Sequence, residues 1–256
     1  MTQVTVDLNS DMGEGFGPWT MGDDDAILDI VSSANVACGF HGGDPEIMAH
    51  TFAEARKRGV AIGAHPGYPD LWGFGRRVIP HSAGEIERFT AYQIGAAQAL
   101  AAYAGHRITY VKAHGALGNL SSADPEVARA VARAVAAVDP SLELLAIARS
   151  EQVAAGEAAG LTVRSEIFAD RAYLETGLLV PRSEPGAVIH DADQAAARMV
   201  RMVTDGALET VAGTRLPCAI ESICVHSDTP GAVALAARVR AALEAEGITI
   251  APFAPG

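Results

Sequence analysis

The chain has 256 residues, 49% of them apolar, which suits one sizeable core and the usual length of a single α/β barrel domain over 1–256. Charged residues make up 20%, a share that excludes long disorder. The formal net charge of −12 repels phosphate backbones and anionic lipid, so nucleic acid and membrane surfaces are excluded as expected partners.

A small anionic substrate stays open, because nearby cations outweigh a distant field. Lysine occurs only at Lys57 and Lys112; the other cations are Arg. The start, Met1-Thr2-Gln3-Val4-Thr5, shows no basic and apolar leader. No run of about 18 apolar residues occurs that would cross a membrane. Three cysteines, Cys38, Cys218 and Cys224, are too few and odd in number for a disulfide framework. A reducing cytoplasm is the expected home.

Strands and helices alternate along the chain. Val4–Leu8 reads as a strand, Ala26–Ser33 as a helix and Ala34–Cys38 as a strand. Asp44 and Pro45 open a helix to Arg58, ended by Gly59. Val60–Ala64 reads as a strand, followed by a long loop, His65 to Pro80, rich in Gly, Pro and aromatics. Ser82 and Glu85 form a capping-box pattern for a helix reaching about Ala104. Strands follow at Ile108–Val111, Leu142–Ile147, Leu161–Ser165 and Ala219–Val225, with Ile248–Ile250 last. Helices fall at Pro125–Ala137, Glu151–Ala159, Gln194–Val203 and Ala232–Glu246. This alternation implies a parallel sheet, and about seven strands in this length favour a closed α/β barrel. Beyond the first, the strands read as apolar runs, as expected when both faces are buried.

The chemistry lies after the strands. The first runs into Asn9-Ser10-Asp11-Met12-Gly13-Glu14, the second into Cys38-Gly39-Phe40-His41-Gly42-Gly43-Asp44, the third into His65-Pro66-Gly67-Tyr68-Pro69-Asp70, and the fourth into Lys112-Ala113-His114-Gly115. Later strands run into Glu166 with Asp170-Arg171, and into His226-Ser227-Asp228. Barrels place ligands and catalytic groups at these carboxyl ends. His41, His65, His114 and His226 are therefore expected to gather. His50, His81, His106 and His190 read as ordinary helix or loop residues. Asp44 serves equally well as a helix cap. Cys218 and Cys224 read as core, and Cys38 as a small packing residue.

Such a cluster suits either general acid–base chemistry or a divalent metal with an open water position. No H-x-x-x-H or H-E-x-x-H occurs, so a metal would be assembled from distant segments, with Asp11, His41 and His65 as candidates. Gly73-Phe74-Gly75-Arg76-Arg77 reads as a lid bringing guanidinium to an anion. Neither the G-x-x-x-x-G-K-[ST] nor the G-x-G-x-x-G phosphate loop is present, nor G-x-S-x-G.

These segments, with Asn35-Val36-Ala37 before Cys38, Gly63-Ala64 before His65, Val111 before Lys112, Ile167-Phe168-Ala169 after Glu166, and Ile223-Cys224-Val225 before His226, resemble the LamB/YcsF family over nearly the whole chain. The resemblance implies an irregular (β/α) barrel of about seven strands, like the glycoside hydrolase/deacetylase barrels. It implies ATP-dependent opening of the lactam of 5-oxo-L-proline to L-glutamate, as the A component of a 5-oxoprolinase with two partner subunits, B and C. The absent phosphate loop puts the ATP site on those partners. Ala113 and Gly118 stand where the family usually has Pro and Tyr, which would widen the pocket beside His114; Ser10 stands where Cys is common.

On this reading Asp11, Glu14, His41, His65 and His114 are catalytic, with Asp11 or His41 as base. Asn9, Asp44, Arg76, Arg77, Lys112, Glu166, Asp170, Arg171, His226 and Asp228 bind substrate. Two alternatives remain: a metal-dependent amide or carbohydrate deacetylase, and a lactam-binding subunit without chemistry of its own.

Overall fold

A computed structural model describes residues 4–228, 231–254 and 256; residues 1–3, part of the segment read above for a leader, lie outside the described residues. In chain order the elements are β1 (Thr5–Met12), α1 (Asp24–Leu28), β2 (Ser33–Ala37), α2 (Pro45–Arg58), β3 (Ala61–His65), α3 (Ala83–Tyr103), β4 (Ile108–Val111), α4 (Gly115–Ala123) and α5 (Pro125–Val138). They continue with β5 (Glu143–Ile147), α6 (Glu151–Ala158), β6 (Val163–Phe168), α7 (Ala192–Asp205), β7 (Ala207–Glu209), β8 (Arg215–Pro217), β9 (Ser222–Cys224), α8 (Ala232–Ala245) and β10 (Thr249–Ile250).

Seven strands close a parallel barrel in the order β1-β2-β3-β4-β5-β6-β9, with β9 returning to β1. Asp7, Leu8 and Asn9 pair with Ser222, Ile223 and Cys224 at the closure. The start of β1 also carries β10. Helices pack outside: Met48 and Phe52 of α2, Ile94 and Ala97 of α3, and Met199 and Val239 of α7 and α8 all join the main core. The helix ends follow sequence signals. Asp44 caps α2 through the amides of Glu46 at 2.9 Å and Ile47 at 3.2 Å, and Gly59 ends it in the left-handed conformation. Ser82 and Glu85 make a complete capping box on α3.

Several local expectations change. The helix read over Ala26–Ser33 shrinks to α1, because Ser33 already belongs to β2. Helix α4 was not expected; its Gly- and Ser-rich sequence has little helical signal. The short β7–β8 hairpin, antiparallel and outside the barrel, was not expected either. Strand β1 runs to Met12, so Asn9 and Asp11 lie on the strand itself and not in the loop after it. The same holds for Glu166 on β6.

The barrel interior also departs from the apolar runs. Residues facing inward alternate along the strands: Asp7, Asn9 and Asp11 of β1 meet Asn35 of β2, Tyr110 at the end of β4, Lys112, Glu166 of β6 and Ser222 of β9. At the amino-terminal end Asp7 accepts from the hydroxyls of Ser32 and Ser33 at 2.6 Å, and from Ser222. Burial nonetheless pushes its carboxyl up to about 6. Polar groups replace the usual apolar layers here, and the hydrogen bonds among them offset their desolvation.

Gly63 marks the tightest contact in this interior. A Cβ at that position would overlap the ring of Tyr110, which is fully buried and whose hydroxyl donates to Asn35 at 2.7 Å. Gly63→Ala should therefore destabilise the fold by about 1–3 kcal/mol. Urea unfolding measures it; an unchanged midpoint would mean that the ring can move aside freely.

Candidate active site

The carboxyl ends of the strands enclose a cavity of about 310 Å³. Its floor is the top of the polar interior. Lys112 is 4% exposed, and its ammonium meets Glu166 Oε1 at 2.8 Å, Asp11 Oδ1 at 3.0 Å, Cys224 Sγ at 3.1 Å and Asn9 Oδ1 at 3.2 Å. Burial alone would discharge it, but Asp11, Cys224 and Glu166 outweigh burial and hold its pKa well above the usual lysine value. Burial would likewise raise Asp11, yet His65 and Lys112 hold it well below the usual range. For Glu166 burial prevails: its carboxyl is pushed up despite Lys112. Its Oε1 accepts from Asn9 at 2.8 Å, whereas its buried Oε2 has no partner among the described residues.

One wall is a cluster of three histidines and Glu14. His65 Nδ1 lies 2.8 Å from the Lys112 carbonyl, and His114 Nε2 lies 2.8 Å from the Phe74 carbonyl. A carbonyl only accepts, so both ring nitrogens donate. The inner nitrogens, His65 Nε2 and His114 Nδ1, face each other at 3.0 Å. Glu14 Oε1 stands 3.2 Å from His114 Nδ1 and 3.3 Å from His41 Nε2. His41 stacks flat on His114, with ring centroids 3.6 Å apart. It lies behind that ring and does not line the cavity. Burial first, then His114, lowers its pKa to about 3. The rings of His114 and His41 beside Glu14 outweigh burial and hold its carboxyl below the usual range. Glu14, His41, His65 and His114 thus offer ligand atoms all within 4.8 Å of one another, a cluster able to hold a metal.

The loop after β3 closes over this wall. Phe74 takes a left-handed backbone, φ 54°, which a bulky residue adopts at a cost; this turns its carbonyl toward His114. Gly75 packs so closely that a Cβ there would come within 2.8 Å of both His41 and His114. The loop is tied to α4 by the Ala116 amide donating to the Gly75 carbonyl at 2.9 Å.

The opposite wall is cationic. Arg76, Arg171 and Arg182 line it with His226 and Asp228. Arg76 pairs with Asp228 at 2.5 Å. Arg171 is 3% exposed and, among the described residues, donates only to the carbonyls of Ala187 and Val180. Burial, then Arg182, lowers its pKa to about 10. Among the described residues, neither Arg171 nor Arg182 forms an ion pair with a carboxylate.

The expected site residues therefore divide. Asp11, Glu14, His65, Arg76, Lys112, His114, Glu166, Arg171, His226 and Asp228 line one cavity. Asn9 lies beneath it, holding Glu166 and Lys112. Asp170 lies behind His226. Asp44 and Arg77 stand apart: Asp44 is consumed as the α2 cap and by the Gly17 amide at 2.7 Å, and Arg77 pairs with Asp70 to brace the loop. Gly118 lines the cavity, but a Cβ there would lie 2.6 Å from the Ala113 carbonyl. Packing of α4 requires the bare backbone, so an aromatic at 118 would not fit this helix as it stands. Cys38 is buried, its thiol pushed up to about 12 by burial, as a packing residue would be. Cys218 follows β8 and is half-buried, not on the barrel strand. Sequence reading missed Arg182, Asn119 and Gln152, which also line the cavity; they sit mid-loop or in helices, with no motif around them.

The chain belongs to the LamB/YcsF family, whose model matches residues 6–256. It is 63% identical over 250 residues to the A component of 5-oxoprolinase from Gluconobacter oxydans, covering 98% of each chain. It is 64% identical over 251 residues to the A component of 5-oxoprolinase from Azorhizobium caulinodans, covering 98% of this chain and 99% of that one. The crystal structure of the lactam utilization protein from Thermus thermophilus superposes with a TM-score of 0.92 at 44% identity, over 98% of this chain and 100% of that one.

His226 and Asp170 make the pH-sensitive pair of the site. His226 Nδ1 meets both Asp170 oxygens at 2.8 Å. Burial would lower the histidine, but Asp170 outweighs it and holds the pKa above 6.5. The stabilisation is thus complete below the unfolded value and lost as pH rises through the raised folded value. Asp170→Asn should cost about 3 kcal/mol near pH 6, because it leaves a buried histidinium unpaired or neutral, and less near about pH 8.5. Urea unfolding at both pH values measures this; an equal cost at both would sink the assignment.

Proposed function

We propose that this chain is the lactam-opening component of an ATP-dependent 5-oxoprolinase, acting with two partner subunits. One observation carries the reading: two arginines without carboxylate partners among the described residues, and Glu166, whose buried Oε2 has no partner among them, line the same small cavity as the His–carboxylate cluster. The names of the close relatives, as the A component of 5-oxoprolinase, and of the lactam utilization protein support it. No helix of the described residues is long and apolar enough to cross a membrane.

Arg171 and Arg182 receive the substrate carboxylate or a phosphoryl group by charge-assisted hydrogen bonds. The partners use ATP to phosphorylate the amide oxygen, which makes C5 electrophilic. The water adds to C5 beside the His–Glu14 wall, and Asp11 takes up its proton. The C5–N bond then breaks, and the ring nitrogen needs a proton to leave. We assign this role to Glu166, which lines the cavity, whose pKa burial pushes up, and whose Oε2 has no partner among the described residues. A second water releases inorganic phosphate and leaves L-glutamate.

Mixing the chain with its two partners should give ATP-coupled glutamate release from 5-oxoproline; release that is equally fast without the chain would refute the proposal. In that assay Arg171→Met and Arg182→Met should each raise KM for 5-oxoproline about tenfold to a hundredfold with little change in kcat. Glu166→Gln, of equal size but unable to give up a proton, should lower kcat about a hundredfold; a normal kcat would remove Glu166 as the acid. His65→Ala should lower turnover by about two orders of magnitude or more, with circular dichroism confirming the fold.

A further inference from the structure

We propose that Glu14, His65 and His114 form a site for one divalent transition-metal ion, with its open position facing the cavity. This inference is independent of which substrate the cavity takes.

His65 and His114 each spend one ring N–H on a backbone carbonyl, at 2.8 Å in both cases. Their other nitrogens therefore present lone pairs, and these meet at 3.0 Å. Two lone pairs at that distance repel unless a positive charge lies between them. Glu14 adds its oxygen 3.2 Å from His114 Nδ1. That carboxylate is 6% exposed, and among the described residues its ion-pair partners are His41 and His114 alone, with no Lys or Arg. A buried carboxylate without a permanent cation is costly.

Separations fit an ion. Ligands about 2.0–2.2 Å from a tetrahedral metal stand about 3.3–3.6 Å apart, and the observed values of 3.0 and 3.2 Å need only a few tenths of an ångström. The two ring N–H bonds to backbone carbonyls are the supports that metal-bound histidines ordinarily have. The rings are also held in place by packing: a Cβ at Gly67 would meet His41 at 2.7 Å, and one at Gly75 would meet His114 at 2.8 Å.

The donor set selects the ion. Imidazole with one carboxylate favours zinc, manganese, cobalt or nickel over magnesium and calcium, which prefer oxygen. Of the residues first expected, His65 remains. Asp11 Oδ1 is engaged by Lys112 at 3.0 Å and Asn35 at 2.8 Å, while its Oδ2 stands 3.3 Å from His65 Nε2 and supports that side of the site. His41 lies behind His114, against Glu14, and orients it. Bound here, such an ion lowers the pKa of a water facing the cavity.

The full chain, stripped with a chelator, is titrated with zinc, manganese, cobalt and nickel by calorimetry, and the cobalt form is read by visible absorption. About one equivalent of at least one ion should bind, with intense four- or five-coordinate cobalt bands and no sulfur charge transfer. Glu14→Gln and His114→Gln should each weaken binding about a hundredfold or more. Absence of stoichiometric binding of all four ions overturns the site and leaves a shared proton between the rings. A sulfur-to-cobalt band also overturns it, since it would put the ion at Asp11, Cys224 and His226, a second group with ligand atoms within 4.8 Å of one another. Binding unchanged in both variants has the same result. If the variants do not fold, the cobalt spectrum of the unaltered chain decides. A chain that binds the ion but supports no lactam opening keeps this inference and loses the functional one.

Discussion

Lys112 carries a charge inside a closed barrel, and the rest of the site is arranged around it. A buried ammonium survives only with close, oriented acceptors. Asp11, Glu166 and Asn9 supply them from β1 and β6, and the Lys112 carbonyl in turn fixes the His65 ring. The ion pair and the histidine cluster are thus one network. Disturbing the ammonium would release the carboxylates around it, while the His65 orientation rests on the Lys112 backbone.

This polar interior changes what the barrel is. Ordinary barrels fill the axis with branched apolar layers and confine chemistry to the loops. Here the inward residues of β1, β2, β4, β6 and β9 are hydrogen-bonded to one another, so the reactive surface extends down into the strands. The strands hold Asp11 and Glu166 more rigidly than a loop would. The two carboxyls differ because their surroundings differ. Asp11 has His65 and Lys112 beside it and stays ionised. Glu166 is desolvated enough that burial prevails, and it keeps a proton more readily. Such divergence between neighbouring carboxyls is what acid–base division of labour requires.

The walls above are less uniform. The His–Glu14 wall is packed tightly under a strained turn at Phe74, whereas the arginine wall joins Arg76, from the loop after β3, to Arg171 and Arg182 of the long segment after β6, and relies on backbone carbonyls and Asp228. A rigid wall facing a cationic one suits a substrate held by its anionic group while its other end meets the reactive cluster.

Much of this was readable in the sequence. Periodicity, caps such as Asp44-Pro45 and Ser82–Glu85, and Gly59 placed most strands and helices, because those signals are local. The strand-end histidines and carboxylates were readable through barrel logic, because closing a parallel barrel forces its strand ends together. Only tertiary structure decided how they divide. His41, His65 and His114 form one cluster, while His226 turns to Asp170. Asp44 and Arg77 leave the site because nearer partners consume them. Arg182 and Gln152 enter it with no local signal. The inward face of each strand was hidden too, since Asn35, Tyr110 and Ser222 look like isolated polar residues until closure sets them against one another. Sequence determines which groups arrive at the rim; the distances between segments far apart in the chain decide which proton, charge or lone pair each one meets.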